Sequence, residues 1–293
     1  MFRTAKIFLK LSIYTIILLC IIECQNSTKT KDNNNYQLHI GIDSSLKSIT
    51  NEIINLFNYY NPKLILKIDY NKAAIINNNF NDNYYDIIII PKQKKYNWRN
   101  LSKLNIYPKE EMLLKDALVF ITSSGNQLSN INIKNLNQEA LKFNKLIFDA
   151  NINQEYYKYL VELNPGIKNN IKIYSDTLNA ANLLIYLNSN DLIVTNIAKI
   201  INNKKIENNF KILDINSKEN FEAYIHPSKE NLINNKYPLG IEVVAIYKDT
   251  SPYLARSFID FSLGQISQLV IYKYGLLPRK IYRRVIEINN NAI

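Results

Sequence analysis

Apolar and polar positions alternate from Tyr36 onward: Tyr36, Leu38, Ile40 and Ile42 are separated by Gln37, His39, Gly41 and Asp43, which is the period of a strand. The period then changes. Leu46, Ile49, Ile53, Leu56, Phe57 and Tyr60 recur at helical spacing behind the capping candidates Asp43, Ser44 and Ser45, and Pro62 ends the run. A strand over 64–68, a weaker Asn-rich helical piece over 73–76 and a continuous apolar strand over 87–90 complete a βαβαβ unit. Uninterrupted runs such as Ile87, Ile88, Ile89 and Ile90 suit strands of a parallel sheet covered on both faces.

After a loop over 92–98, residues 117–121 read as another buried strand, and the alternation begins again. A helical piece over 133–141, a strand over 145–148, a helix over 154–163, a strand over 171–174, a helix over 178–187 and a strand over 192–195 follow in order. Two successive α/β units of similar size predict two lobes. The last third opens on a strand over 241–247, then a helix start of the cap-then-proline kind at Ser251 and Pro252. Leu254, Phe258 and Phe261 share one helical face, Gly264 interrupts, and a second helical piece runs to Tyr274 before a Gly275 cap. No internal repeat of solenoid length is visible.

Length and charge narrow the function classes. With 293 residues, 47% of them hydrophobic, the chain can bury one large core or two modest ones. The formal net charge of +11 biases the surface toward anions, whether phosphate-like solutes, nucleic acid or lipid head groups, without choosing among them. Arg279, Lys280, Arg283 and Arg284 form the one sharp basic cluster and read as a solvated tail face, so nucleic acid is not expected as a partner.

The N-terminus has the tripartite layout of an export signal or short anchor. Arg3, Lys6 and Lys10 precede or interrupt an apolar stretch over 7–22, and a polar linker over 25–35 follows. Cys20 and Cys24 close that stretch and are the only cysteines, so the mature domain has no structural disulfide. Cys24 is placed as the acylated residue of a lipoprotein would be, with residues 1–24 as its signal, although Glu23 stands where a small residue is usual. An uncleaved anchor and simple secretion remain open beside lipidation.

Catalytic readings find little support. Ser44 and Lys47 make an S-x-x-K spacing at a helix start, but the K-T-G element of the serine enzymes that use it is absent. His39 and His226 have no ligand-spaced partners, and no P-loop, dinucleotide glycine fingerprint or G-x-S-x-G elbow occurs. No enzyme activity, metal or cofactor is expected.

Three segments resemble the phosphate ABC transporter substrate-binding proteins, within the type II periplasmic binding-protein fold. "LNIYPKEEMLLKDALVFIT" from Leu104, with its run Asp116, Ala117, Leu118, looks like that family's crossing into its second lobe. "YPLGIEVVAIY" from Tyr237 is similar to its return strand, and "SFIDFSLGQISQLVIYKYGLLP" from Ser257 to its closing helices and final turn. Molybdate- and sulfate-binding relatives share much of this last stretch. The resemblance implies an α/β protein of two lobes, each a mixed, mainly parallel sheet flanked by helices. Lobe 1 would comprise 36–117 and a return segment 243–285, lobe 2 would comprise 118–242, and 286–293 would be a tail. It also implies a monomer that captures phosphate outside the cytoplasm, tethered by its N-terminal anchor, for an ABC permease in the inner membrane.

In such folds the solute lies beyond the carboxyl ends of parallel strands, where helix starts present unpaired N–H groups. Three turns qualify. Ser44 and Ser45 follow the first strand and carry hydroxyl donors; Lys92 follows the strand over 87–90, where the family has a polar or basic contact; and 149–154 matches the family's Ser-, Thr- and Gly-rich turn. That third turn departs from the pattern, offering Asp149, Asn151 and Asn153 with no arginine nearby. Asn side chains can donate to an oxyanion, and Asp149 can accept the proton of monohydrogen phosphate, which would favour phosphate over sulfate. Ser175 is a weaker candidate of the same kind. The altered turn keeps a second reading open: an envelope lipoprotein that retains the fold with a lost or altered pocket, for another oxyanion such as molybdate or sulfate, or for protein interaction.

Overall fold

The computed structural model describes residues 37–149, 152, 154–169, 171–174, 190–200, 208–216, 223–251 and 253–281. The helix expected over 178–187 lies outside them, as do Cys20, Cys24, Asn151, Asn153 and Ser175.

Strands β1 (Gln37–Asp43), β2 (Ile65–Asn71) and β3 (Ile87–Pro91) are mutually parallel in the order β2-β1-β3, joined by helices α1 (Lys47–Tyr60) and α2 (Ala73–Asn81). This is the βαβαβ unit that the alternation predicts. The four consecutive isoleucines of β3 divide between two cores. Ile87 and Ile89 join Ile49, Ile53 and Phe57 of α1, while Ile88 and Ile90 join Ile76 and Phe80 of α2. Covering on both faces is why the run has no polar interruption. On the α1 side, Phe57 meets Phe258 edge to face at 5.1 Å, holding helix α8 (Tyr253–Leu263) against the sheet.

The longest strand, β4 (Pro108–Ser123), begins nine residues before the expected 117–121. Its first half pairs antiparallel with β11 (Gly240–Lys248), which in turn pairs with β3. Its second half pairs with β8 (Leu192–Asn196), which lies beside β6 (Leu146–Asp149) and β7 (Ile171–Tyr174) in a second parallel group. β4 is therefore common to both halves of the sheet. Asp116, at the change of partner, is completely buried. The last elements follow the expected order: α8, then α9 (Gln265–Lys273), then Gly275 at φ +76°, a left-handed cap that suits glycine. Leu277 and Pro278 then pair with Lys115 and Leu114 of β4.

Gly41 fixes how closely the α2 side packs on β1. A Cβ there would lie 2.8 Å from Cε2 of Tyr85 and 3.0 Å from Cγ2 of Ile76. Gly41→Ala is therefore expected to destabilise the protein by roughly 1–3 kcal/mol through overpacking, seen as a lower urea midpoint at unchanged slope.

Candidate functional site

The turn after β1 is a single 3-10 turn, Ser44–Leu46, leading directly into α1. Asp43 organises it. Its Oδ1 accepts from the Ser45 amide at 2.9 Å and from the Ser45 hydroxyl, and its Oδ2 accepts from the Ala73 amide, the first of α2, at 2.8 Å. One carboxylate thus caps two helix starts. Burial pushes the Asp43 carboxyl above its ordinary range, its hydrogen bonds oppose this, and the charge of Asp149 adds to the rise. Ser45 is buried and committed to Asp43, whereas Ser44 is half-buried. Lys47, the other half of the S-x-x-K spacing, lies over the ring of Tyr70 at 5.4 Å.

Asp149 ends β6, buried, and its carboxylate accepts from the Thr195 hydroxyl at 2.9 Å and from the ammonium of Lys199. Thr195 lies in β8, and Lys199 in the short helix α6 (Ile197–Ile200) that follows it. Helix α6 packs against both the Ser44–Leu46 turn and α1. The two sequence candidates Ser44 and Asp149, from different halves of the sheet, are thereby brought to one region, with Lys199 as the cation between the elements that carry them.

Asp116 fastens this junction. Its Oδ1 accepts from the amide of Ala198 at 3.0 Å and from that of Ala117 at 2.7 Å, and its Oδ2 accepts from Nδ2 of Asn196 at 3.0 Å. Burial raises its carboxyl to about 6, against the pull of those hydrogen bonds. Oδ1 of Asn196 is itself buried without a partner.

Lys92 leaves the end of β3 toward β4 and β11, pairing with Glu110 at 3.1 Å and Glu242 at 3.2 Å, and those two carboxylates raise its pKa. Thr195, Asn196 and Lys199 were not among the residues expected around the solute, and Asp43 was expected as a cap. For Thr195, Asn196 and Asp43 the available signal was their place at the ends of buried strands, the rule already used for Ser44. Among the described residues no cluster of His, Cys, Asp and Glu is arranged to hold a metal, and no helix is long and apolar enough to cross a membrane.

What the arrangement offers a solute is hydroxyl and amide donors from the Ser44 turn, an ammonium from Lys199, and buried carboxylates that can accept a proton. No family model matches the chain, and no curated protein sequence does. Solved structures do match. A Clostridium perfringens protein assigned as a phosphate ABC transporter substrate-binding protein, solved with phosphate bound, superposes with a TM-score of 0.63 at 14% identity, covering 83% of this chain and 100% of its own. An ABC-type phosphate transport receptor from Vibrio cholerae gives 0.59 at 12% identity, with 82% and 99% covered. The substrate-binding domain of a protein assigned to a molybdenum ABC transporter of Clostridium difficile gives 0.55 at 16%, with 83% and 99% covered. At such identities the likeness speaks to architecture, and with the sheet order above it gives the chain the two-lobed type II periplasmic binding-protein fold.

Proposed function

We propose that this chain is an extracytoplasmic solute-binding protein that captures a small oxyanion, phosphate first among them, between its two lobes and delivers it to an ABC permease. The observation that carries this reading is the meeting of the Ser44–Leu46 turn with α6, which sets hydroxyl and amide donors, Lys199 and the acceptor Asp149 in one region. Lobe 1 is taken as 36–117 with 243–285 and lobe 2 as 118–242, with Ser44, Ser45, Lys92, Asp149, Asn151, Asn153 and Ser175 around the solute. The protein acts by closure rather than by chemistry: excluding water strengthens each hydrogen bond to the enclosed anion. The structural neighbours named for phosphate transport support this choice of solute, and the molybdenum neighbour makes molybdate the first competitor to test. Acylation at Cys24 would hold the protein at the membrane.

Ser44→Ala removes the half-buried hydroxyl without disturbing the Asp43 cap. It is expected to weaken phosphate binding by about ten- to a hundredfold, the worth of one hydrogen bond to a charged group, in equilibrium dialysis with radiolabelled phosphate. An unchanged affinity would remove Ser44 from the site.

One observation favours the second reading, an envelope protein that keeps the fold for protein interaction. The Ser45 hydroxyl, the Ala73 amide, Lys92 and Lys199 each already meet a carboxylate of the chain itself. A solute must compete with those internal partners. If no oxyanion binds, this reading takes precedence.

A further inference from the structure

Beside the candidate site, a cavity of about 400 Å³ opens among the loop after β3, the middle of β4, the start of β11, and Tyr156 in the first turn of helix α5 (Gln154–Leu163). It is far larger than a tetrahedral oxyanion and falls in the size range of sites for small organic ligands, roughly 300–1,000 Å³. Its walls are held in place. Tyr156 donates its hydroxyl to the carbonyl of Gly240, and Lys115 is fixed by Oδ1 of Asn235 at 2.6 Å and the carbonyl of Leu232 at 3.4 Å.

Its charge is unbalanced. Lys92 is matched by Glu110 and Glu242, but neither Lys94 nor Lys115 has an ion-pair partner among the described residues. Lys115 lines the cavity held by neutral acceptors only, and Glu242, opposite it on β11, is already paired with Lys92. One end of the cavity lies close to the donors described above: Lys92 follows β3, the direct neighbour of β1, so the two strand ends are about one strand spacing apart, ~4.8 Å. Lys115, on β4, stands three spacings from β1, about 14 Å between backbones, a span that the two side chains and an elongated ligand must share.

We propose that the solute carries a second anionic group on an organic body: a phosphorylated carboxylic acid, its phosphate at the Ser44 turn and its carboxylate between Lys94 and Lys115. This rests on the reading of the chain as an anion binder and specifies the substrate class within it. The test is calorimetry on the full chain with three probes: inorganic phosphate, glycerol 3-phosphate and 3-phosphoglycerate. The last two have similar bodies and differ in the carboxylate. We expect 3-phosphoglycerate to bind at least about tenfold tighter than either of the others, the increment of a charge-assisted contact. Lys115→Met, and separately the exposed Lys94→Glu, should bring 3-phosphoglycerate to within about threefold of glycerol 3-phosphate. If inorganic phosphate binds and 3-phosphoglycerate binds no tighter, or the lysine variants weaken all three probes by the same factor, the inference is overturned while anion binding stands. If none of the three binds, both are overturned.

Discussion

Replacing Asp116 by alanine is expected to cost about 3–5 kcal/mol of unfolding free energy, because three buried donors lose their shared acceptor at once. Those donors are the amides of Ala117 and Ala198 and the side chain of Asn196, so the loss also frees α6 from β4. Asp116→Asn tests the charge separately. The new amide replaces Oδ2 and faces Nδ2 of Asn196, so Asn196 turns over to accept from it at Oδ1, which exchanges one unpartnered amide atom for the other, and only a small stability change is expected at neutral pH. The pH dependence has a definite sign. The carboxyl is raised from 3.8 to about 6 in the folded protein, so the native state holds its proton more tightly than the unfolded chain between those values. This contribution is fully present below the unfolded value and is lost as pH rises through about 6, on the order of 3 kcal/mol in all. Urea unfolding of the wild type and of Asp116→Asn, from pH 4 to pH 7.5, should show the wild type losing stability relative to the variant across that interval. A constant difference would mean that Asp116 is not the titrating group.

The second large effect is expected at Lys199. Its side chain is 11% exposed and its ammonium meets a carboxylate, Asp149, that is 2% exposed. Lys199→Met removes the ammonium that meets this buried carboxylate, at a cost of about 3–5 kcal/mol. Asp149→Asn in the same background removes the buried charge and should recover most of the loss, with the Thr195 hydroxyl still able to donate to the amide oxygen. A double-mutant cycle in urea therefore separates an ion pair from simple packing: a coupling near zero would show that the two side chains act independently. The same variants bear on binding. If Lys199 contacts the solute, Lys199→Met/Asp149→Asn should fold stably and still bind phosphate at least about tenfold more weakly than the wild type.

Much of the architecture was legible because the strands and helices from β1 to β3 each obey one clear rule. β3 is four isoleucines long because both its faces are covered, and α1 is bounded by the Asp43 cap and Pro62. The beginning of β4 was hidden by its composition. Lys109, Glu110 and Glu111 look like loop residues, yet they sit in a strand paired with β11, where Glu110 and Glu111 meet Lys92 and Arg279. Strands β5 (Asn130–Asn132), β9 (Phe210–Ile212) and β10 (Asp214–Asn216) have three residues each, too few for a period to show, and two of them lie among asparagines.

The candidate site was legible by halves. Ser44 and Asp149 could be found because each follows an apolar strand at the position where parallel sheets place ligands. Lys199 could not, because nothing in the run Thr195, Asn196, Ile197, Ala198, Lys199 shows that the chain turns at once into a helix packed on α1 and the Ser44–Leu46 turn. Asp116 drew attention only as part of a family-like run. Its role as a buried acceptor for three donors depends on the partner change within β4, which is a tertiary fact.

The most direct test of anion capture is a calorimetric titration of the full chain with inorganic phosphate, sulfate and molybdate in turn. Saturable one-to-one binding of phosphate, with sulfate weaker because it brings no proton for a buried carboxylate to accept, is the predicted result. Absence of saturable heat with all three anions would contradict it.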